Sequence, residues 1–179
     1  MNTPNKLTML RIFMIPVFMV LLLLPQIPYH LILTLAVFIL ASLTDLIDGK
    51  LARKYNQITD FGKLMDPLAD KLLITSALIC FVQLGLADVW VVVIIIAREF
   101  LVTSIRLIAA GSGKVIAASF WGKVKTNSQV VAVVAVIIFA YLRLPVEFGD
   151  IFVWIAAAFT IISGIQYAWN YREYLSAKN

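Results

Sequence analysis

The sequence predicts an all-α integral membrane bundle of six transmembrane helices, with both termini on the cytoplasmic side. Three observations carry that expectation. Of the 179 residues, 62% are hydrophobic and only 14% charged, at a mean hydropathy of +0.95, whereas a soluble domain is near half apolar and about a quarter charged. The apolar residues fall into six runs broken by Pro, Gly and Asp, several of them near the ~20 residues that cross the hydrocarbon of a bilayer. The basic residues concentrate in alternate connections.

The first run, about Arg11–Leu24, follows Thr3 as helix cap and Pro4 in the first helical position. Asn5, Thr8 and Arg11 recur every three residues and form a polar stripe, read either as an interior lining or as the wet face of an interfacial helix. Lys6 and Arg11 resemble the start of a signal peptide, but Pro25 to Tyr29 offer no small-residue cleavage pattern, so a retained helix is expected. The second run, His30–Leu46, ends in acidic residues, and the third, Leu72–Leu86, begins after more of them. The fourth, Val89–Ala110, contains Arg98, Glu99 and Arg106. The fifth and sixth are Val124–Leu142 and Ile151–Trp169. Backbone groups must be satisfied within the segment in lipid, which favours helices, and no alternating barrel pattern is visible. The whole chain, residues 1–179, reads as a single membrane domain.

Six spans from a cytoplasmic N-terminus put Lys6, Lys50, Arg53, Lys54, Lys63, Lys114, Lys123, Lys125, Arg172 and Lys178 on the cytoplasmic side. The opposite connections hold Arg143 among Glu147 and Asp150. The net charge of +5 therefore faces anionic headgroups and phosphate-bearing ligands, not nucleic acid. Trp121, Trp154, Tyr167, Trp169 and Tyr171 lie near span ends and read as interfacial anchors. Cys80 is the only cysteine and reads as a small buried hydrophobe; His30, the only histidine, sits in a short loop with no metal cluster around it. Gly111 to Lys114 lack the spacing of a phosphate loop and read as a turn.

The chemistry concentrates between Thr44 and Lys71. Asp45 and Asp48 are three apart at the end of the second run; Asp66 and Asp70 are four apart at the start of the third. Each pair shares a helical face, and the short loop between sets the two helix ends side by side. Like charges about 4 Å apart repel by roughly 4 kcal/mol at an effective dielectric near 20. Divalent cations relieve that repulsion, and an all-oxygen donor set favours Mg²⁺, Mn²⁺ or Ca²⁺ over Zn²⁺. Gly49, Ala52 and Gly62 remove bulk beside these carboxylates, Arg53 offers a planar fork for a phosphate oxygen, and Pro67 fits the first turn of the third helix. In the fourth span Arg98 and Glu99 interrupt an apolar run, where ionisable groups are costly. Arg98 and Arg106 share a face, and Lys123 and Lys125 follow at the next cytoplasmic connection. Together they suit a ligand with its own phosphate.

The pattern Asp45-x2-Asp48-Gly49-x2-Ala52-Arg53-x8-Gly62-x3-Asp66-x3-Asp70 resembles the signature of the CDP-alcohol phosphotransferase family without departure. Asn5, Thr8 and Arg11, Arg98-Glu99 with Arg106, and Trp121-Gly122-Lys123-x-Lys125-Thr126 resemble its phosphatidylglycerophosphate synthase branch. The resemblance implies a multi-pass enzyme of the bacterial cytoplasmic membrane, with its active site near the cytoplasmic face. It implies transfer of a phosphatidyl group from CDP-diacylglycerol to glycerol 3-phosphate, and it is compatible with a homodimer. It implies two ions, Mg²⁺ or Mn²⁺, on Asp45, Asp48, Asp66 and Asp70, with Asp70 as general base. Asn5, Thr8, Gly49, Ala52, Arg53 and Gly62 would contact the CDP-lipid, and Arg98, Arg106, Lys123 and Lys125 the acceptor phosphate. Two rivals stand beside this reading: another alcohol such as inositol phosphate or serine, and a divalent-cation transporter. A transporter would place its acidic residues near the midplane and show inverted repeats, which the sequence lacks.

Overall fold

The computed structural model describes the backbone of residues 3–54, 60–111 and 119–172, and the side chains of 6–44, 65, 68, 69, 71–106, 108, 109 and 119–172. Within these residues every regular element is a helix: α1 (Thr3–Leu23), α2 (His30–Lys54), α3 (Asp60–Gln83), α4 (Val89–Gly111), α5 (Phe120–Tyr141) and α6 (Val146–Asn170). Three of them, α1 over Lys6–Leu23, α5 and α6, are long and apolar enough to cross a membrane. Shorter apolar stretches, His30–Thr44 in α2 and Lys71–Gln83 in α3, are prolonged by polar turns.

Each helix is longer than its apolar run because polar residues continue the helical backbone. α1 starts at Thr3, so Thr3 is already helical, and His30 opens α2 where a loop is expected. α3 starts at Asp60, which places Pro67 in the helix interior rather than its first turn. A proline there withholds one i→i−4 hydrogen bond, a defect also present at Pro16 of α1. Membrane helices tolerate it because neighbouring helices re-satisfy the freed backbone groups.

The connections are short and sharply terminated. At the end of α3 the Leu86 amide donates to the Phe81 carbonyl (2.8 Å) and the Gly85 amide to that of Val82 (3.1 Å), with Gly85 at φ 69°. This paired closure needs a left-handed residue, which glycine supplies without strain. α5 closes in the same way, Leu144 to Phe139 (3.0 Å) and Arg143 to Ala140 (3.2 Å), but with Arg143 at φ 54°. Pro145 then prevents continuation. The Asp88 carboxylate caps the start of α4 through the Trp90 amide (2.6 Å). The Asp88 amide in turn donates to Asp150 (3.2 Å), joining this connection to α6.

One continuous core runs through the bundle, with Phe18, Phe38, Phe81, Ile95, Val133 and Val153 fully buried. Small residues at Ala41, Ala77 and Ala156 let the helices approach closely. The outer surface is as apolar as the core: Phe13, Val17, Trp90, Val93, Ile165 and Trp169 are among many large hydrophobics left half-exposed or more. Water would not tolerate so extensive an apolar exterior, and a bilayer does. The chain is a membrane protein. The described part of the α1 polar stripe turns inward instead: Thr8 and Arg11 are completely buried, which excludes a wet face at these two positions. α1 packs along both α2 and α3, so this stripe lies against the helices that carry the acidic signature.

A side chain built at Gly85 would meet nothing within 4 Å, so Gly85→Ala tests backbone conformation alone. It is expected to destabilise the protein by about 1–2 kcal/mol, read as a lowered thermal midpoint in detergent.

Candidate functional site

Among the described residues two large cavities open between the helices. The first, about 360 Å³, lies among α1, α2, α3 and α5 and is walled by apolar side chains including Phe38, Leu73, Ile74, Val130 and Val134. Arg11, Ser42, Thr126 and Asn127 supply its polar groups. Arg11 Nε donates to Thr44 Oγ1 at 3.4 Å, and the Thr44 hydroxyl donates to the Ala41 carbonyl at 2.7 Å. Arg11 thus ties α1 to the residue immediately before Asp45.

The second cavity, about 400 Å³, lies among α3, α4 and α5 and is cationic. Lys71, Arg98, Arg106, Lys123 and Lys125 line it, with Glu99 as its acidic residue. Thr126 and Asn127 line both cavities, so the two share a wall on α5.

The helix register explains how these charges meet. Arg98, Val102, Ile105 and Ala109 recur at helical spacing along α4; Val102, Ile105 and Ala109 are buried. Arg98 therefore turns inward beside Glu99. The Glu99 carboxylate accepts from Arg98 Nη1 at 3.2 Å and pairs with Lys125 Nζ at 2.5 Å; the three side chains keep 14%, 11% and 7% of their exposure respectively. One anion thus holds a cation from its own helix and another from α5. Lys71 donates to the Thr103 hydroxyl, which itself donates to the Glu99 carbonyl at 2.7 Å. Arg98 Nη2 reaches Ser163 Oγ at 2.5 Å, and Arg106 Nε reaches the Tyr167 hydroxyl at 2.8 Å, its guanidinium 5.3 Å from that ring's centroid. Ser119 caps α5 by accepting from the Gly122 amide at 3.1 Å, which fixes the turn carrying Lys123 and Lys125.

The structure brings Arg98, Arg106, Lys123 and Lys125 to one cavity. Thr8 lies on the inward face of α1, apart from that cavity. The backbone puts Asp45, Asp48, Gly49, Ala52 and Arg53 on the last turns of α2, and Gly62, Asp66 and Asp70 on the first turns of α3. The side chains of these residues, and of Asn5, lie outside the described residues. Among the described residues no group of three His, Cys, Asp or Glu stands together. Asp70 is followed directly by Lys71, which lines the cationic cavity, so the acidic end of α3 adjoins that cavity through the chain itself.

Sequence reasoning missed Lys71, Thr103, Ser163 and Tyr167. Tyr167 is not an interfacial anchor. It is 2% exposed, packed with Val102 and Ile105 of α4 and 4.9 Å between ring centroids from Tyr171. Its hydroxyl accompanies Arg106 into the bundle. The available signal was the four-residue spacing of Ser163 and Tyr167, which matches a helical face. Trp121 is partly buried as well, stacked on Phe159 with centroids 6.4 Å apart.

A helical membrane protein with a cationic cavity beside an aspartate-bearing helix pair fits a class: membrane proteins that handle phosphate-linked substrates. The particular family follows from comparison, since the CDP-alcohol phosphatidyltransferase family matches residues 1–162. The chain belongs to that family and is an enzyme of the phosphatidyl-transfer class. It is 44% identical over 194 aligned residues to the CDP-diacylglycerol–glycerol-3-phosphate 3-phosphatidyltransferase of Bacillus subtilis strain 168, covering 99% of both chains. Proteins of the same name from Rickettsia bellii (39% identity, 93% of each chain) and Haemophilus influenzae (37%, 93% of this chain and 91% of the relative) are also similar.

Removing the shared anion tests the cluster. Glu99→Gln is expected to destabilise the protein by about 3–5 kcal/mol, because Arg98 and Lys125 lose the carboxylate they share. Adding Lys125→Met should restore part of that loss, a coupling read from thermal midpoints of the single and double variants.

Proposed function

We propose that this protein transfers the phosphatidyl group of CDP-diacylglycerol to glycerol 3-phosphate, giving phosphatidylglycerol phosphate and CMP in anionic phospholipid biosynthesis. The observation that carries the proposal is the cationic cavity lined by Lys71, Arg98, Arg106 and Lys125, directly next to the α3 segment that bears Asp70. An acceptor that brings its own phosphate needs such a cavity, and an uncharged alcohol does not. Relatives named for this reaction match over nearly the whole chain.

Asp45, Asp48, Asp66 and Asp70 present oxygen donors alone, which fits hard divalent ions such as Mg²⁺ or Mn²⁺. Two such ions, when bound, would neutralise charge on the diphosphate of the lipid nucleotide. Everything else falls to the chain's own residues. Asp70 takes the proton from the 1-hydroxyl of glycerol 3-phosphate as that oxygen bonds to the lipid-side phosphorus. The bond from that phosphorus to the bridging oxygen breaks, and CMP leaves with the electron pair. Arg98, Arg106, Lys123 and Lys125 hold the acceptor's phosphate and orient its free hydroxyl. Asn5, Thr8, Gly49, Ala52, Arg53 and Gly62 contact the CDP portion.

In this reading all six helices cross the bilayer of the bacterial cytoplasmic membrane, and residues 1–179 form one domain. Both termini and the site lie at the cytoplasmic face, where a lipid and a water-soluble substrate can meet. The distribution of Lys and Arg supports that orientation. A homodimer belongs to the reading through the family resemblance alone. A divalent-cation transporter has less support, since it gives no role to a cavity lined by five cations.

Asp70→Asn is expected to lower CMP release roughly 10²- to 10⁴-fold while binding of CDP-diacylglycerol persists. Turnover near that of the unaltered protein would remove Asp70 from the base role. Arg106→Gln combined with Lys123→Gln should raise the KM for glycerol 3-phosphate by about a hundredfold and barely move that for CDP-diacylglycerol. Equal changes in both constants would argue against the cavity as the acceptor site.

A further inference from the structure

The acceptor cations do not orient themselves. Arg98 and Arg106 project from α4 toward α6, and α6 meets them with three residues of one face: Ser163, Gly164 and Tyr167. Ser163, completely buried, accepts from Arg98 Nη2 at 2.5 Å; Tyr167, 2% exposed, accepts from Arg106 Nε at 2.8 Å. Between them Gly164 leaves room for the Arg98 stem. A Cβ at that position would stand 3.0 Å from Arg98 Cγ and 3.8 Å from Nε, closer than side-chain carbons ordinarily approach. Arg98 is thus fixed on two sides, by Glu99 from its own helix (3.2 Å) and by Ser163 from α6. Arg98 Nε is buried with no hydrogen-bond partner among the described residues. The family match covers residues 1–162 and ends before all three α6 residues.

We propose that the Ser163–Gly164–Tyr167 face of α6 is the positioning element for acceptor recognition: it holds Arg98 and Arg106 at the spacing that receives the phosphate of the acceptor alcohol. The proposal rests on the reading of the cationic cavity as the acceptor site. The three residues touch the arginines and not the substrate, so they are positioning residues. Tyr167 takes only the Nε of Arg106, leaving its terminal N–H donors for a phosphate, whereas Arg98 gives one hydrogen bond from each terminal nitrogen, to Glu99 and to Ser163, and keeps the second N–H of each. A neutral hydroxyl partner suits this task better than a carboxylate, because it fixes the arginine without cancelling the charge the ligand needs.

Two variants separate positioning from general support. Tyr167→Phe keeps the ring and deletes the hydroxyl that Arg106 uses. Gly164→Ala adds one methyl against the Arg98 stem while favouring the helix itself. In full-length protein in detergent–lipid micelles, CMP release is measured against glycerol 3-phosphate and CDP-diacylglycerol in turn. Each variant is expected to raise the KM for glycerol 3-phosphate about three- to tenfold, with kcat and the KM for CDP-diacylglycerol unchanged. The thermal midpoint of Gly164→Ala should not fall. Unchanged KM values in both variants, equal rises for both substrates, or loss of folding in both would overturn the proposal. If the unaltered protein releases no CMP with glycerol 3-phosphate, the underlying reading fails and takes the proposal with it. Normal activity with unresponsive variants removes the α6 element alone.

Discussion

Glu99 stands where the polar interior of this protein would otherwise be untenable. Ionisable groups inside a membrane helix are costly unless paired or opened to water, yet the bundle gathers Lys71, Arg98, Arg106, Lys123 and Lys125 around one cavity. The Glu99 carboxylate, shared by Arg98 and Lys125, offsets part of that charge and links α4 to α5. The hydroxyls of Thr103, Ser163 and Tyr167 hold Lys71, Arg98 and Arg106 without reducing the net charge. Among the described residues the lining is therefore predominantly cationic, which suits a small ligand bearing phosphate.

The cavity gains its meaning from its neighbours. On one side stands the acidic segment of α2 and α3, joined to it through the Asp70–Lys71 step. Beyond the shared wall of Thr126 and Asn127 lies the apolar cavity, with Arg11 bonded to Thr44 beside Asp45. One apolar and one cationic space thus lie on either side of a single α5 wall. Every helix contributes: α1 and α2 to the apolar side, α3 and α5 to both, and α4 and α6 to the cationic side.

Much of this was legible in the sequence, for identifiable reasons. Helical class and segment number follow from apolar runs broken by Pro, Gly and Asp, because lipid forces each run to satisfy its own backbone. Of the five cavity cations, Arg98 and Arg106 could be picked out because charge in an apolar run is rare, and Lys123 and Lys125 because they follow at the next cytoplasmic connection. The limits were equally physical. The first and third apolar runs are too short to span alone, which already pointed to extension through polar neighbours, but how far was not legible: α3 begins at Asp60, so Pro67 falls inside it and not in its first turn. Tyr167 was misread because an aromatic near a span end has the same sequence signature whether it faces headgroups or an arginine. Ser163 and Thr103 carry no charge, and only three-dimensional packing discloses that their hydroxyls face Arg98 and Lys71.

The most direct test of the account is the choice of acceptor. Purified protein would be incubated with CDP-diacylglycerol, Mg²⁺ and, in separate reactions, glycerol 3-phosphate, glycerol, serine and inositol phosphate, with CMP and lipid products followed by mass spectrometry. The account predicts phosphatidylglycerol phosphate and one equivalent of CMP with glycerol 3-phosphate, and no lipid product with the others. Comparable turnover with an uncharged alcohol, or no CMP with any acceptor, would contradict it.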